Sequence, residues 1–293
     1  MDDAAMDDAA IVTRFAPSPT GRLHLGHGFS AIRAHDLARA GGGRFVLRIE
    51  DIDTGRCREA FVDGILEDLA WLGLAFDGAV VRQSERRAAH GAALARLAAL
   101  DLTYPCFCTR ADIAAAAGAP HGGEAAYPGT CRALPQGEAQ ARAREQPHAV
   151  RLDVARALAR TGPLVWHDAH AGAVAADPLR PGDPVLARKD IGVGYMLAAV
   201  VDDAAAGVTD VVRGRDLFEA THAQRLLQAL LGLPVPRYHH HRLLLAADGR
   251  RLAKRDRAET LAALRARGLA GAAVAARLRG LSPQGADCHL PFP

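Results

Sequence analysis

Apolar and polar positions change period several times along this chain, and each change marks an element. Ile11–Phe15 (IVTRF) is a short β-branched and aromatic run, followed by Pro- and Gly-rich turn chemistry over Ala16–Gly21. A helical period begins near Gly26 and continues to about Ala40, where Gly41–Gly43 stop it. Arg44–Glu50 (RFVLRIE) reads as a second strand. Strand, loop, helix, glycine stop and strand in that order form a βαβ unit and predict a parallel sheet. Phe61–Leu72 and Glu85–Leu100 read as amphipathic helices.

From Leu102 to about Pro184 the character changes. Three cysteines, a Gly/Ala/Pro-rich stretch over 114–126 and short β-like pieces (Ala149–Leu152, Leu164–Trp166) predict a loop-rich insertion. The α/β pattern then returns with apolar Tyr195–Val201, the strand candidate Val208–Arg213, the helix Glu219–Leu231 and the strand-like Leu243–Ala246 before an Asp248-Gly249 turn. Glu259–Leu281 has an Ala/Leu/Arg helical pattern. The expected organisation is a disordered acidic tail over 1–10, a doubly wound α/β catalytic domain split into 11–101 and 185–257, an inserted α+β domain over 102–184, and a short helical tail over 258–293. Asp202-Asp203 is expected in a solvated turn.

Composition narrows the class. With 293 residues, 49% hydrophobic and 24% charged, the chain can bury a core without disulfide staples. No long apolar run lacks charges, and MDDAAMDDAA has no apolar core of a leader, so neither a membrane span nor a secretory signal is expected. A net charge of +3 is too small to argue for nucleic acid. The chain uses 34 Arg but only two Lys, at 189 and 254, which makes each Lys worth a reason. Five cysteines, at 57, 106, 108, 131 and 288, do not form a disulfide framework. A reducing, cytoplasmic setting fits them, and the absence of heptads predicts a monomer.

The chemistry concentrates in three places. His24-Leu25-Gly26-His27 falls between a strand and a helix, where free backbone N–H groups and two imidazoles can meet phosphate. Lys254 lies in a basic loop; from Arg237 to Arg257 there are six Arg and one Lys against two Asp. Cys106, Cys108 and Cys131 lie close enough in sequence for a tetrahedral zinc site, although buried free thiols fit the spacing too. His239-His240-His241 reads as partly exposed strand, with His240 on the opposite face from the other two.

The string Arg14–His27 (RFAPSPTGRLHLGH) resembles the first signature of class I glutamyl-tRNA synthetases. Arg48–Asp53 (RIEDID) resembles that family's RIEDTD strand end, and Gly207–Gly214 (GVTDVVRG) resembles its GVTHVIRG segment. Arg251–Arg255 (RLAKR) sits where the KMSKS loop belongs, departing from it at three of five positions. These matches come in family order. The resemblance implies a Rossmann-type fold, with His24, His27 and Lys254 catalytic on the phosphates. Pro17, Gly26, His27, Arg251, Leu252 and Lys254 would bind ATP, accompanied by Mg²⁺. A glutamate pocket would comprise Arg14, Ala16, Ser18, Glu50, Tyr195 and Arg213. Glu50 takes the ammonium in this reading, Arg14 with Tyr195 the side-chain carboxylate, and Arg213 the α-carboxylate.

Cys-x-Cys…Tyr-x-x-x-Cys resembles the zinc site of glutamyl-Q tRNA(Asp) synthetases. That implies one structural Zn²⁺ on Cys106, Cys108 and Cys131, with Tyr127 or His121 as fourth ligand. Only 36 residues follow Arg257, less than an anticodon-binding domain needs. The short length, the cysteine pattern and the altered loop resemble this family, which activates glutamate without tRNA and transfers it to queuosine at the wobble position of tRNA(Asp). The alternatives are a truncated synthetase charging tRNA(Glu), a small-molecule nucleotidyltransferase, and a non-catalytic zinc-containing RNA-binding module.

Overall fold

Strand β1 (Val12–Phe15) is buried at every position, as a central strand covered on both faces must be. The computed structural model describes residues 10–109, 111–113, 127–245, 259–286 and 288–289. Helix α1 (Leu25–Ala40) returns the chain to β2 (Arg44–Ile49), which lies parallel to β1 with Val12 opposite Arg44. Helix α2 (Glu59–Trp71), β3 (Val81–Arg82) and α3 (Arg87–Ala99) complete the first half.

The chain then enters a small second sheet through β4 (Thr103–Cys106), passes α4 (Gln136–Glu145), and continues through β5 (Ala149–Leu152) and α5 (Val154–Thr161). Next come a hairpin, β6 (Val165–Asp168) and β7 (Gly172–Ala175), and a second one, β8 (Val185–Arg188) and β9 (Gly192–Val193). The second half runs α6 (Tyr195–Ala205), β10 (Asp210–Gly214), α7 (Phe218–Leu231), β11 (Arg237–His241) and β12 (Leu244–Leu245). Two helices follow, α8 (Leu261–Ala266) and α9 (Gly271–Arg279).

The main sheet has seven strands in the order β3-β2-β1-β10-β11-β6-β7, all parallel except the β6–β7 edge. The small sheet, β4-β5-β8-β9, is antiparallel. This interleaving departs from the sequence reading. Leu164–Trp166 was expected inside the insertion, yet β6 joins the main sheet beside β11, with Tyr238 opposite Asp168. Conversely, β8 and β9 lie beyond residue 184 but belong to the small sheet. Strands this short bury too few side chains to show in sequence which sheet they join.

One apolar core packs α1, β1, β2 and α2 with Leu261, Leu264, Val274 and Leu278 of the C-terminal helices. Those helices are therefore part of the domain's interior. Gly271 is the contact that permits it, since a Cβ there would lie 1.8 Å from the Trp71 carbonyl oxygen. A second core joins α3, α5, α6 and α7, and a third surrounds Trp166. Among the described residues no helix is long and apolar enough to cross a membrane.

Asp68, fully buried on α2, faces α8. Arg265 reaches one of its oxygens at 3.2 Å, and Oδ2 has no hydrogen-bond partner among the described residues. Burial pushes this carboxyl up to about 6 against the pull of Arg265 and Arg22. Its folded-state pKa lies above the unfolded one, so the stability it contributes is present below about pH 4 and is lost as pH rises through 6. Asp68→Asn is therefore expected to stabilise the fold by about 2 kcal/mol at pH 7.5 and by little at pH 4. Urea unfolding at both pH values tests this, and an equal effect at the two would contradict it.

Candidate active site

Strand order reverses between β1 and β10, and open sheets bind ligands at such a point, beyond the strands' carboxyl ends. Here that crevice is a cleft of about 640 Å³. Its walls are the loop after β1, the start of α1, the end of β2, the start of α6, the end of β10 and Leu243–Leu244. Ala16, Pro17 and Ser18 line it, and the loop they form is pinned to the second strand by Glu50 N–H donating to the Pro17 carbonyl (3.0 Å).

His24 and His27 build the α1 N-terminus as a reciprocal cap. His24 Nδ1 accepts from the Gly26 N–H, and His27 Nδ1 accepts from the His24 N–H, each at 3.1 Å. Both neutral rings must therefore carry their proton on Nε2. Two imidazole donors and the helix's own N–H groups thus share the cleft wall with Gly26. Spacing alone did not reveal this capping role.

The charged lining is a network of buried ion pairs. Arg14, 6% exposed, donates from Nε to Asp203 (3.1 Å) and from a terminal nitrogen to the Val212 carbonyl (3.2 Å). Arg48 bridges Asp203 at 2.5 Å and Glu50 at 3.1 Å. Burial raises both carboxyls. At Asp203 the two arginines outweigh it and hold the pKa below the usual value, whereas at Glu50 burial prevails and the pKa is raised. Asp203 and Asp202 therefore do not form the solvated turn read from sequence. They lie within α6, and Asp202 is held by Gln83, Arg86 and His90.

On the opposite wall Arg213 donates from Nε to His240 (3.1 Å), from one terminal nitrogen to Tyr195 Oη (3.3 Å), and from the other to Thr221 Oγ1 (2.7 Å) and the Leu217 carbonyl (3.3 Å). Tyr195 thus stands with Arg213, not with Arg14 as grouped from sequence. The histidine run alternates as expected: His239 meets Asp210, His240 meets Asp168, and His241 meets Ser30. Its burial was misjudged, because His240 and His241 are both buried.

Arg251, Leu252, Lys254 and His121 lie outside the described residues. The ends of the segment 246–258 are placed, however. Leu244 lines the cleft, while Thr260 pairs with His24 and Leu261 N–H donates to the Leu23 carbonyl (2.9 Å). The described residues on either side of 246–258 therefore lie at the cleft (Leu244) and at the α1 N-terminus (Thr260).

Away from the cleft, the sulfurs of Cys106, Cys108 and Cys131 all lie within 4.8 Å of one another. Tyr127 Oη is 3.5 Å from Cys106 Sγ and 3.8 Å from Cys108 Sγ. Tetrahedral thiolate ligands around zinc stand about 3.8 Å apart, so this donor set fits such an ion. Gly129, at φ +83°, makes the turn that returns Cys131 to Tyr127. Burial pushes the Cys108 thiol up to about 11.

The family description for the catalytic domain of class I tRNA synthetases (E and Q) matches residues 10–287. A glutamyl-Q tRNA(Asp) synthetase from Rhodobacter capsulatus is 48% identical over 289 residues, covering 92% of this chain and 100% of that protein. Another, from Nocardia farcinica, is 49% identical over 250 residues, covering 85% of this chain and 77% of that protein. The chain belongs to the glutamyl-Q tRNA(Asp) synthetase family. It is accordingly a ligase of the class I aminoacyl-tRNA synthetase type. The crystal structure of a glutamate tRNA ligase from Elizabethkingia meningosepticum in complex with its amino acid matches with a TM-score of 0.71 at 29% identity, covering 85% of this chain. It covers 52% of that protein, so the present chain spans about half its length.

Four residues that pair behind the cleft lining escaped the sequence-derived site: Arg48, Asp203, His240 and Asp168. Arg48 stands inside the RIEDID string, so a local signal for it exists. The other three act through partners far away in sequence, and nothing local marks them.

Proposed function

We propose that this chain activates L-glutamate with ATP, forming glutamyl-adenylate, and transfers the glutamate to queuosine at the wobble position of tRNA(Asp). The charge arithmetic of the cleft carries this reading. Among the charged residues that line the cleft, Arg14, Arg56, Arg188 and Arg213 face Glu50, Asp53 and Asp216, leaving one positive charge. Glutamate brings one net negative charge and neutralises it, whereas glutamine would leave a buried charge uncompensated.

Glu50 accepts the substrate ammonium, a role consistent with a carboxylate that burial has left short of positive partners. The Arg213–Tyr195 pair holds one carboxylate and Arg14 the other. The α-carboxylate is already ionised, so it needs no general base. One of its oxygens attacks the α-phosphorus of ATP, the bond to the bridging oxygen breaks, and that electron pair leaves on pyrophosphate. The Nε2–H groups of His24 and His27 and the α1 amides stabilise the charge spreading over the phosphates. Lys254 supplies a further cation for the charge developing on the phosphates. Cys106, Cys108, Cys131 and Tyr127 would hold a structural Zn²⁺, which ties β4 to the turn at Cys131.

The test of the acceptor is transfer of labelled glutamate. tRNA(Asp) carrying queuosine is expected to become labelled, while the same RNA without the modification and tRNA(Glu) are not. Labelling of tRNA(Glu) at its 3′ end would overturn the acceptor assignment in favour of a truncated synthetase.

A further inference from the structure

We propose that His240 is a positioning residue for Arg213, locked by Asp168 into the single tautomer that can accept the Arg213 Nε–H. The proposal rests on the reading of the cleft as a glutamate site. Asp168, at the end of β6, receives backbone N–H groups from His170 (2.9 Å), Ala171 (3.0 Å) and His240 (3.1 Å), and stands 2.8 Å from His240 Nδ1. A carboxylate met by three amide donors is held ionised and has no proton to give, so Nδ1 carries the hydrogen. The remaining nitrogen, Nε2, then presents a lone pair, and Arg213 Nε lies 3.1 Å from it. An arginine Nε–H is always a donor, so the direction of the bond is fixed.

The imidazole cannot turn away. It stacks on Tyr238 with an interplanar angle of 3°, and the rings of Trp166 and Phe218 close on it edge-on at 5.8 and 5.1 Å. Burial also pushes its pKa below the usual value, against the pull of Asp168, consistent with a neutral ring.

The consequence appears in the donor inventory of Arg213. Of five N–H groups, His240 takes one, Thr221 and Leu217 take two, and Tyr195 takes one. The last N–H lies on the nitrogen shared with Tyr195, at the cleft wall. A substrate carboxylate therefore meets one fixed guanidinium N–H beside one phenol. Removing the acceptor at His240 leaves the buried Nε–H unpaired, so the guanidinium shifts on its remaining bonds to Thr221, Leu217 and Tyr195 and that pairing weakens. A strand at the far side of the sheet, β6, thereby reaches the amino-acid pocket through one imidazole.

The test uses three variants of the full-length enzyme. His240→Leu fills the aromatic cage but removes the acceptor. His240→Asn keeps a donor for Asp168 but is too short for Arg213. His240→Gln returns an oxygen to the Nε2 position. In glutamate-dependent ATP–pyrophosphate exchange, His240→Leu and His240→Asn are expected to raise KM for glutamate about tenfold, the size of one charge-assisted hydrogen bond, with kcat and the KM for ATP nearly unchanged. His240→Gln is expected to restore most of the lost affinity. Thermal stabilisation by glutamate should follow the same order. An unchanged glutamate KM in folded His240→Leu or His240→Asn, or a Gln variant no better than Leu, overturns the proposal. Absence of exchange in the unaltered enzyme instead overturns the functional reading beneath it.

Discussion

Arg14→Ala is expected to lower kcat/KM for glutamate by roughly a thousandfold, with the KM for ATP nearly unchanged. The guanidinium is 6% exposed and fastened on one side to Asp203 and the Val212 carbonyl, so its charge is aimed and desolvated before substrate arrives. Truncating one partner of such a buried, hydrogen-bonded charge pair costs on the order of 4 kcal/mol, about three powers of ten. Asp203 keeps Arg48 as partner in the variant, so the fold should survive. Arg14→Lys keeps the charge but loses the fork, and it should recover only part of the rate. Exchange kinetics over a range of glutamate concentrations measure this directly. A loss below tenfold in folded Arg14→Ala would remove Arg14 from the pocket.

Loss of the cysteine cluster should damage the protein differently. Structural zinc supplies on the order of 10 kcal/mol to small metal-dependent folds. Here the cluster ties β4 to the turn at Cys131, and the same small sheet carries Arg188 to the cleft wall. Cys131→Ala is expected to abolish stoichiometric zinc and to lower Tm by roughly 10 °C, several kcal/mol for a chain of this size. Chelation of the unaltered protein should give the same shift, reversed by added zinc. Protein purified without metal, with a Tm indifferent to chelator, would exclude the metal site.

The parts of this molecule legible in its sequence share one property, locality. The β1–α1–β2 unit showed itself because its period changes and its glycine stop lie side by side, and Ala16–Ser18, His24 and His27 fall within that unit. Cys106, Cys108 and Cys131 were visible for the same reason. What stayed hidden depends on partners distant along the chain. Asp202-Asp203 reads as solvent-facing until Arg14 and Arg48 arrive from 189 and 155 residues away. His240 reads as one of three similar histidines until Asp168, 72 residues earlier, selects its tautomer. The same distance explains β6, whose place beside β11 is decided by pairing across the sheet and not by its own four residues.

The central claim, that this cleft joins glutamate to ATP, is tested most directly by glutamate-dependent ATP–pyrophosphate exchange with no RNA present. Robust exchange is expected with L-glutamate, little with L-glutamine at the same concentration, and a loss in Lys254→Ala. Exchange that appears only when tRNA(Glu) is added would contradict it in favour of a truncated synthetase. No exchange under any condition, with RNA still bound, would make the chain a binding module instead.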